Sequence, residues 1–494
     1  MIKTFFYKTI NLIFFIGFSW IFLNVIFNNK QGFIQYNPLI IILLSILVLL
    51  VFFIVNKNLE KRCLNMDKRK KLTILIFAMT IILIIQVVFG YYLRVVPSWD
   101  FGSVYDNAVS LVTNGKVSST KYFLNFRNNT GILLIISFAY KIGLLLGVNR
   151  FLAIGIVLNI IIIDLSIILM FAICDKVFGT AKAFLALFIA AISTPLYTYT
   201  PIFYTDTLSL VFPVLILYLV IIADDVKETW KKYCLYAFIG GIGFLGGQVK
   251  LTVTFMLIAI SLQLFLQHNI KSYVPKISVI VVNFIITMKI FNSVVDYSGI
   301  FDFNMSEKSP TPFTHWVMMS LKEKGGWNWE DYEFTYSFPT REERIEENVK
   351  EIKNRLNDYK VEGYFMFLTR KATWTWGDGT YFAPEKLRRK PINVNFYHQL
   401  VLKDGRYFKY YAYFSQAIHI AVLFLILVSA FLNIKNSNNS HINILRIVML
   451  GIITFLLIWE TRSRYILNYI PIFILIAIEG IQLLEKLSWK EKTT

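Results

Sequence analysis

"GILLIISFAYKIGLLLGV", residues 131–148, decides how this chain is threaded. It is strongly apolar, but it is short against the roughly 20 residues a bilayer crossing needs, is interrupted by Lys141 and is flanked by glycines. Read as a span, it transfers everything after it to the opposite side of the membrane. Read as an amphipathic helix lying on the outer surface, it leaves the basic residues of the rest of the chain on a consistent side. The second reading is adopted.

The surrounding sequence makes the membrane unavoidable. Of 494 residues, 56% are hydrophobic and only 16% charged, whereas soluble domains are typically about a quarter charged. Apolar runs of spanning length fall near 5–27, 38–56, 72–93, 151–174, 181–198, 207–223, 233–249, 251–267, 276–293, 412–432, 445–460 and 465–484, about twelve in all. The first, in "FFIGFSWIFLNVIFNNK", has no small-x-small cleavage site and reads as a retained span. The expected fold is therefore an α-helical polytopic membrane protein with about 12 transmembrane helices, outer-surface helices and a mixed hydrophilic insert.

Orientation follows from charge. The loop with Lys57, Lys61, Arg62, Lys68, Arg69, Lys70 and Lys71 belongs inside by the positive-inside bias. Both termini are then cytoplasmic, while 94–150, the neighbourhood of Asp206, the "TRSRY" stretch at 461–465 and the insert fall outside. Three regions result: a membrane region 1–293 containing the outer loop 94–150, an extracytoplasmic insert 294–411 and C-terminal membrane helices 412–494. The net charge of +19 is no sign of nucleic-acid binding, because the insert is nearly balanced at 18 basic and 17 acidic residues. The excess lies in the membrane regions, where it sets orientation and meets anionic lipid. Cys63, Cys174 and Cys234 all map to the inner side and imply no disulfide framework.

Within the insert, Ile345, Val349, Ile352 and Leu356 share one face of an amphipathic helix. "GWNWEDYEFTYSF" and "KATWTWGDGTYF" are aromatic and alternating, and read as strands or irregular loops. Core cover or an interfacial belt is the plainer reading of their tryptophans than a sugar platform.

Candidate chemistry gathers on the outer side. In "VVPSWDFGSVYDNA", residues 95–108, Pro97 ends a span and Asp100 stands where a helix N-cap would, with Asn114-Gly115 as the helix stop. Capping is the plain role for Asp100; general-base catalysis on a hydroxyl is the functional one. Asp206, in "YTPIFYTDTLSLVFP", is a second acid on the same side with the same two readings. Arg127, Lys250, Arg462 and Arg464 are cations placed against the positive-inside bias. Snorkelling or pairing with Glu460 is the plain account. Lys250 also follows "GGIGFLGGQV", a glycine-rich turn able to present backbone N–H groups to an anion. A base, a second acid and several cations at the membrane boundary fit a membrane-anchored phosphate acting as leaving group. The five histidines are scattered without zinc-ligand spacing.

"SWDFGSVYDNA" after an outward-going helix, the later "YF" at 122–123 with Arg127 nearby, "YTD" at 204–206 and "E-x-R-x-R-Y" at 460–465 resemble the GT-C glycosyltransferases, particularly protein O-mannosyltransferases and lipid A aminoarabinose transferases. The resemblance implies a polyprenyl-phosphate sugar donor, Asp100 as the first-loop catalytic aspartate and Asp206 as the second acid. It implies Arg127, Lys250 and Arg464 on the donor phosphate; Arg462 is a further candidate there, and Tyr105, Asp106, Tyr122 and Tyr465 are candidates for lining the substrate. No cofactor is implied, although some relatives hold a divalent ion at the two acids. The chain departs from the pattern in having two spans before the one that leads to Asp100, Phe101 rather than a glutamate after it, and an insert matching no acceptor domain. The expected activity is inverting transfer of a sugar to a glycan such as a teichoic acid or wall polysaccharide. A lipid-linked sugar flippase, favoured by the mid-membrane Asp164, and a polysaccharide polymerase are the rivals.

Overall fold

The computed structural model describes residues 2–301, 311–434 and 440–490, and every regular element among them is a helix. Among the described residues the single extended pairing is an isolated antiparallel bridge, Val95 with Pro391. Among the described residues ten helices are long and apolar enough to cross a membrane: nine of the expected spans, and Arg127–Leu145.

Contacts at the helix ends show which segments actually run from one end of the bundle to the other. At the end away from the insert, Lys71 pairs with Asp175 at 2.7 Å, Lys182 with Glu60 at 2.8 Å and with Glu485 at 2.5 Å, and His441 with Asp224 at 3.0 Å. Lys68–Tyr92 and Phe151–Phe178 are therefore antiparallel neighbours whose other ends both lie on the insert side. Between them sits Thr130–Leu145, whose two ends touch that same side. Its Gly131 packs against Gln248, two residues from Lys250, and its Gly143 packs against Ile154, beside the Gly155 that meets Phe203. It lies across the bundle end, with Trp99–Asn114 packed on it, and does not traverse. Three segments too short or too polar for the length criterion do traverse: Thr180–Ile192 continued by an irregular stretch, Thr229–Val249, and Leu251–Gln267.

The insert differs from its expectation in two ways. "NWEDYEFTY" forms the helix Trp329–Tyr336 and "KATWTW" ends the long helix Arg341–Trp376, so neither aromatic stretch is a strand. Capping explains the first: the Asn328 side chain accepts from the Asp331 N–H at 2.9 Å, and Glu330 and Asp331 fill the first turn. Arg341–Trp376 opens with a full capping box between Thr340 and Glu343 and breaks at Lys360, where φ is 51°. Its apolar stripe is only partly covered, and Leu356 is 39% exposed. The helix is held instead by polar anchors, as Asn348 accepts from Thr335 and Arg355 forks onto Asp331 at 2.7 and 2.8 Å. Its last turn enters the bundle, where Trp376 packs between Phe18 and Phe473.

Candidate active site

The helix Trp99–Asn114 ends as its sequence anticipates, with Gly115 in the left-handed region at φ 77° and its N–H on the Leu111 carbonyl. Its start differs. Ser98 occupies the N-cap position, Asp100 lies within the first turn, and the Asp100 side chain caps nothing. It accepts instead from the Tyr122 hydroxyl at 3.0 Å. Asn129 donates to the Tyr122 oxygen at 2.6 Å and accepts from the Tyr204 hydroxyl at 3.1 Å. Burial, with Tyr204 and Asp100 beside it, pushes the Tyr122 phenol well above its ordinary range, so it remains a proton donor to Asp100. Trp99, just before Asp100, takes the left-handed φ of 57°, a costly conformation for an aromatic residue. It is fixed by the neighbouring bridge, in which Val96 donates to Lys390 and Ile392 to Arg94, and by Arg389 stacked 4.9 Å from its ring.

Asp206 lies in the short helix Thr205–Leu208 and likewise does not cap it. Its carboxylate is 2% exposed and held from both sides: Lys250 Nζ donates to one oxygen at 2.9 Å and Arg464 to the other at 2.7 Å. Three residues from widely separated stretches thus converge. Tyr465 backs them, with Arg464 4.7 Å and Lys250 5.7 Å from its ring centroid. The glycines before Lys250 do not form a loop. They lie inside Thr229–Val249, where Gly240, Gly243 and Gly246 admit Ile280, Leu257 and Val253, and the Lys250 N–H is already bonded to Gly246. The expected backbone anion cradle is therefore absent, since those N–H groups are spent inside a helix.

Further cations, not anticipated from the sequence, come from "KLRRK" at 386–390. Asp378 folds that segment inward by accepting from the Thr380 and Phe382 N–H groups at 2.9 and 2.8 Å and from the Ser463 hydroxyl at 2.8 Å. Tyr381 and Phe382 adopt consecutive left-handed conformations in the turn, at φ 53° and 67°. The result sets Lys386 in the field of Asp206, Arg464 and Asp100, and Arg389 beside Arg462 and Arg464. Burial, reinforced by Arg464, pulls the Lys386 ammonium well below its ordinary value. Arg462 lies over the Phe382 ring at 5.2 Å. The Nε atoms of Arg462 and Arg464 are buried without a hydrogen-bond partner among the described residues. Lys250, Lys386 and Arg464 thus surround Asp206, and Arg389 and Arg462 add to the same field, with Glu385 acting on Arg389 and Glu460 on Arg464. That surplus suits an anion. Both Asp206 oxygens are engaged by cations, and no group of three or more His, Cys, Asp or Glu side chains placed to hold a metal occurs among the described residues.

The other expected site residues are placed differently. Arg127 is exposed on the 3-10 turn Arg127–Asn129. Tyr105 packs on Tyr140 and Phe203, and Asp106, exposed, acts on Tyr105 and Tyr140, so both face the crosswise helix.

The chain belongs to a family described as conserved hypothetical integral membrane protein, whose model matches residues 1–482. No curated protein matches it. Among solved structures it is similar to the archaeal oligosaccharyltransferase AglB from Archaeoglobus fulgidus, in complex with an inhibitory peptide and a dolichol-phosphate, at TM-score 0.40 and 12% sequence identity. The match covers 84% of this chain and 51% of that one, so the chain spans about half the length of AglB.

Proposed function

We propose that this integral membrane protein is an inverting glycosyltransferase of GT-C type, moving a sugar from a polyprenyl-phosphate donor to a glycan hydroxyl on the outer face of the membrane. The observation that carries the reading is the cation surplus around Asp206, with unpartnered guanidinium N–H groups, next to the exposed carboxylate of Asp100. Asp100 takes the proton of the attacking hydroxyl, and that oxygen forms the new bond to the anomeric carbon. The bond from that carbon to the phosphate oxygen breaks, and the leaving phosphate collects charge against Lys250, Arg464 and Lys386. Asp206 holds Lys250 and Arg464 in place and moves no proton, because both its oxygens already accept from them. Polyprenyl phosphate leaves, and the proton on Asp100 returns to solvent.

Asp100→Asn tests this directly. Asn keeps an acceptor for the Tyr122 hydroxyl, so the melting temperature should hold while transfer falls by roughly 10²–10⁴-fold, the usual contribution of a general base. A normally melting Asp100→Asn protein with wild-type transfer would remove the catalytic assignment.

A further inference from the structure

Asn129 is a capping residue type in a capping position, and it does not cap. It stands at the N-cap of Thr130–Leu145, where an asparagine side chain ordinarily accepts from a backbone N–H two or three residues on. No such bond is made. The side chain, 2% exposed, is instead turned between two tyrosines: Nδ2 donates to the Tyr122 oxygen at 2.6 Å, and Oδ1 accepts from the Tyr204 hydroxyl at 3.1 Å. Tyr122 in turn donates to Asp100 at 3.0 Å. The bond withheld from the helix is thus used in a chain that ends on the proposed base. We propose that Asn129 is a positioning residue for the transfer: it directs the Tyr122 proton to Asp100 and so fixes the aim of that carboxylate. The inference rests on the transferase reading above.

The direction of the chain follows from its ends. A carboxylate acting as base only accepts, so the Tyr122 hydroxyl points its proton at Asp100, and the Tyr122 oxygen is then open to a donor. The Asn129 NH2 group supplies it. The amide oxygen is left for Tyr204, and the Asn128 NH2 group, 3.5 Å from the same Oδ1, agrees with an acceptor there. Turning the amide over would set its oxygen against Tyr122 and draw that proton away from Asp100. Asp100 needs such a guide because it is exposed and caps nothing in its own helix. Asn129 also ties the base to the cations. Tyr204, 75 residues along the chain, is the N-cap of Thr205–Leu208, the short helix that carries Asp206. Gly131 packs so closely on Gln248 that a Cβ there would lie 2.7 Å from the Gln248 carbonyl oxygen, and Gln248 is two residues from Lys250. Base and phosphate cradle are thus held in one frame, in which a misplacement of about 1 Å costs roughly 100-fold in rate. A residue serving only the turn Arg127–Asn129 would bond within that turn, whereas this side chain reaches Tyr122 in Thr120–Asn125 on one side and Tyr204 on the other.

The experiment measures sugar transfer by the full chain in detergent, with polyprenyl-phosphate sugars extracted from the host membrane as donor and cell-surface polysaccharide of the host strain as acceptor. Asn129→Leu should lower kcat roughly 10–100-fold and leave the KM for both substrates little changed. Asn129→Asp keeps the shape and the bond from Tyr204 but offers Tyr122 a second carboxylate, so it should lose transfer as Asn129→Leu does. Should Asn129→Leu melt low, Asn129→Asp carries the same test. In an Asp100→Asn background neither substitution should add a further loss, because no base is left to aim. A residue that only holds the turn together would multiply the loss in both backgrounds. Wild-type kcat in Asn129→Asp, or losses that multiply fully with that of Asp100→Asn, overturns the proposal and leaves the transferase standing. A wild-type chain that transfers no sugar from the extracted donors removes the transferase reading, and this inference with it.

Discussion

Asp206 is tied to two cations at once, so its removal has an unequal consequence. Asp206→Asn leaves Lys250 and Arg464 buried against each other, and loss of one member of a buried ionic group costs about 3–5 kcal/mol. A large fall in melting temperature is expected, which makes that variant a poor probe of chemistry. Lys250→Ala and Arg464→Ala also cost stability, but each leaves Asp206 one cation, and in the folded fraction each should raise the barrier to transfer by about 2–4 kcal/mol if it stabilises the leaving phosphate. Initial rates unchanged in both would reduce the pair to a structural clamp. Lys371 supplies a pH test. It is fully buried with its ammonium on the Ser320 carbonyl at 3.2 Å, and burial pulls it from 10.5 to about 7 against the attraction of Glu460. Between those values the unfolded chain binds more protons than the folded one, so stability should rise with pH across that window and be flat below it. Lys371→Met should melt no lower than wild type at pH 7 and lose part of the rise measured up to pH 10. Asp206, Lys250 and Arg464 were visible in the sequence because charge at an outer span end needs a reason. Lys386 and Arg389 were not, since a basic run inside a charge-balanced insert reads as a solvated face; only the Asp378 turn brings it inward.

At the scale of elements, the glycines of Thr229–Val249 are the point of closest approach. A Cβ on Gly240 would lie 2.2 Å from the Ile280 carbonyl oxygen, which belongs to the backbone of a neighbouring helix and cannot turn aside. Gly240→Ala should therefore push Ile270–Tyr297 away and destabilise by about 1–3 kcal/mol, read as a lowered melting temperature in detergent. Gly17, with nothing within 4 Å of its Cβ position, is the control and should accept alanine. The same glycines show where sequence pattern misled: glycine spacing marks both a loop that offers N–H groups and a helix face that admits a neighbour, and only the packed partner separates the two. Span positions were legible because apolar length is a one-dimensional property. The helicity of the insert was not, because aromatic alternation imitates a strand when the deciding signals are local caps such as Asn328 and Thr340. Buried polar pairs between spans were equally hidden. Arg446 and Glu479 meet with Ser429 and Asn443 in the bundle interior, yet each alone looks like a stray charge in an apolar run.

For the whole molecule, the crosswise placement of Thr130–Leu145 fixes the parity of every later segment, and labelling checks it. With Cys63, Cys174 and Cys234 replaced, a cysteine at exposed Ser337 should react with an impermeant maleimide in intact cells, and one at exposed Thr229 should not. The reverse pattern would place the insert inside and move the donor with it. The crosswise helix has a mechanical consequence as well. It joins the loop bearing Asp100 to the ends of Phe151–Phe178 and Thr229–Val249, so the height of Asp100 over the hydrocarbon follows the length of those two helices and not the thickness of the surrounding lipid. A donor floating in the bilayer obeys the opposite rule, because its phosphate rides at whatever level the acyl chains set. On the proposed transferase reading, protein and donor are in register at one membrane thickness. Reconstituted into phospholipids of graded acyl-chain length, the protein should transfer sugar fastest at an intermediate thickness and more slowly on either side, while its melting temperature changes far less than its rate.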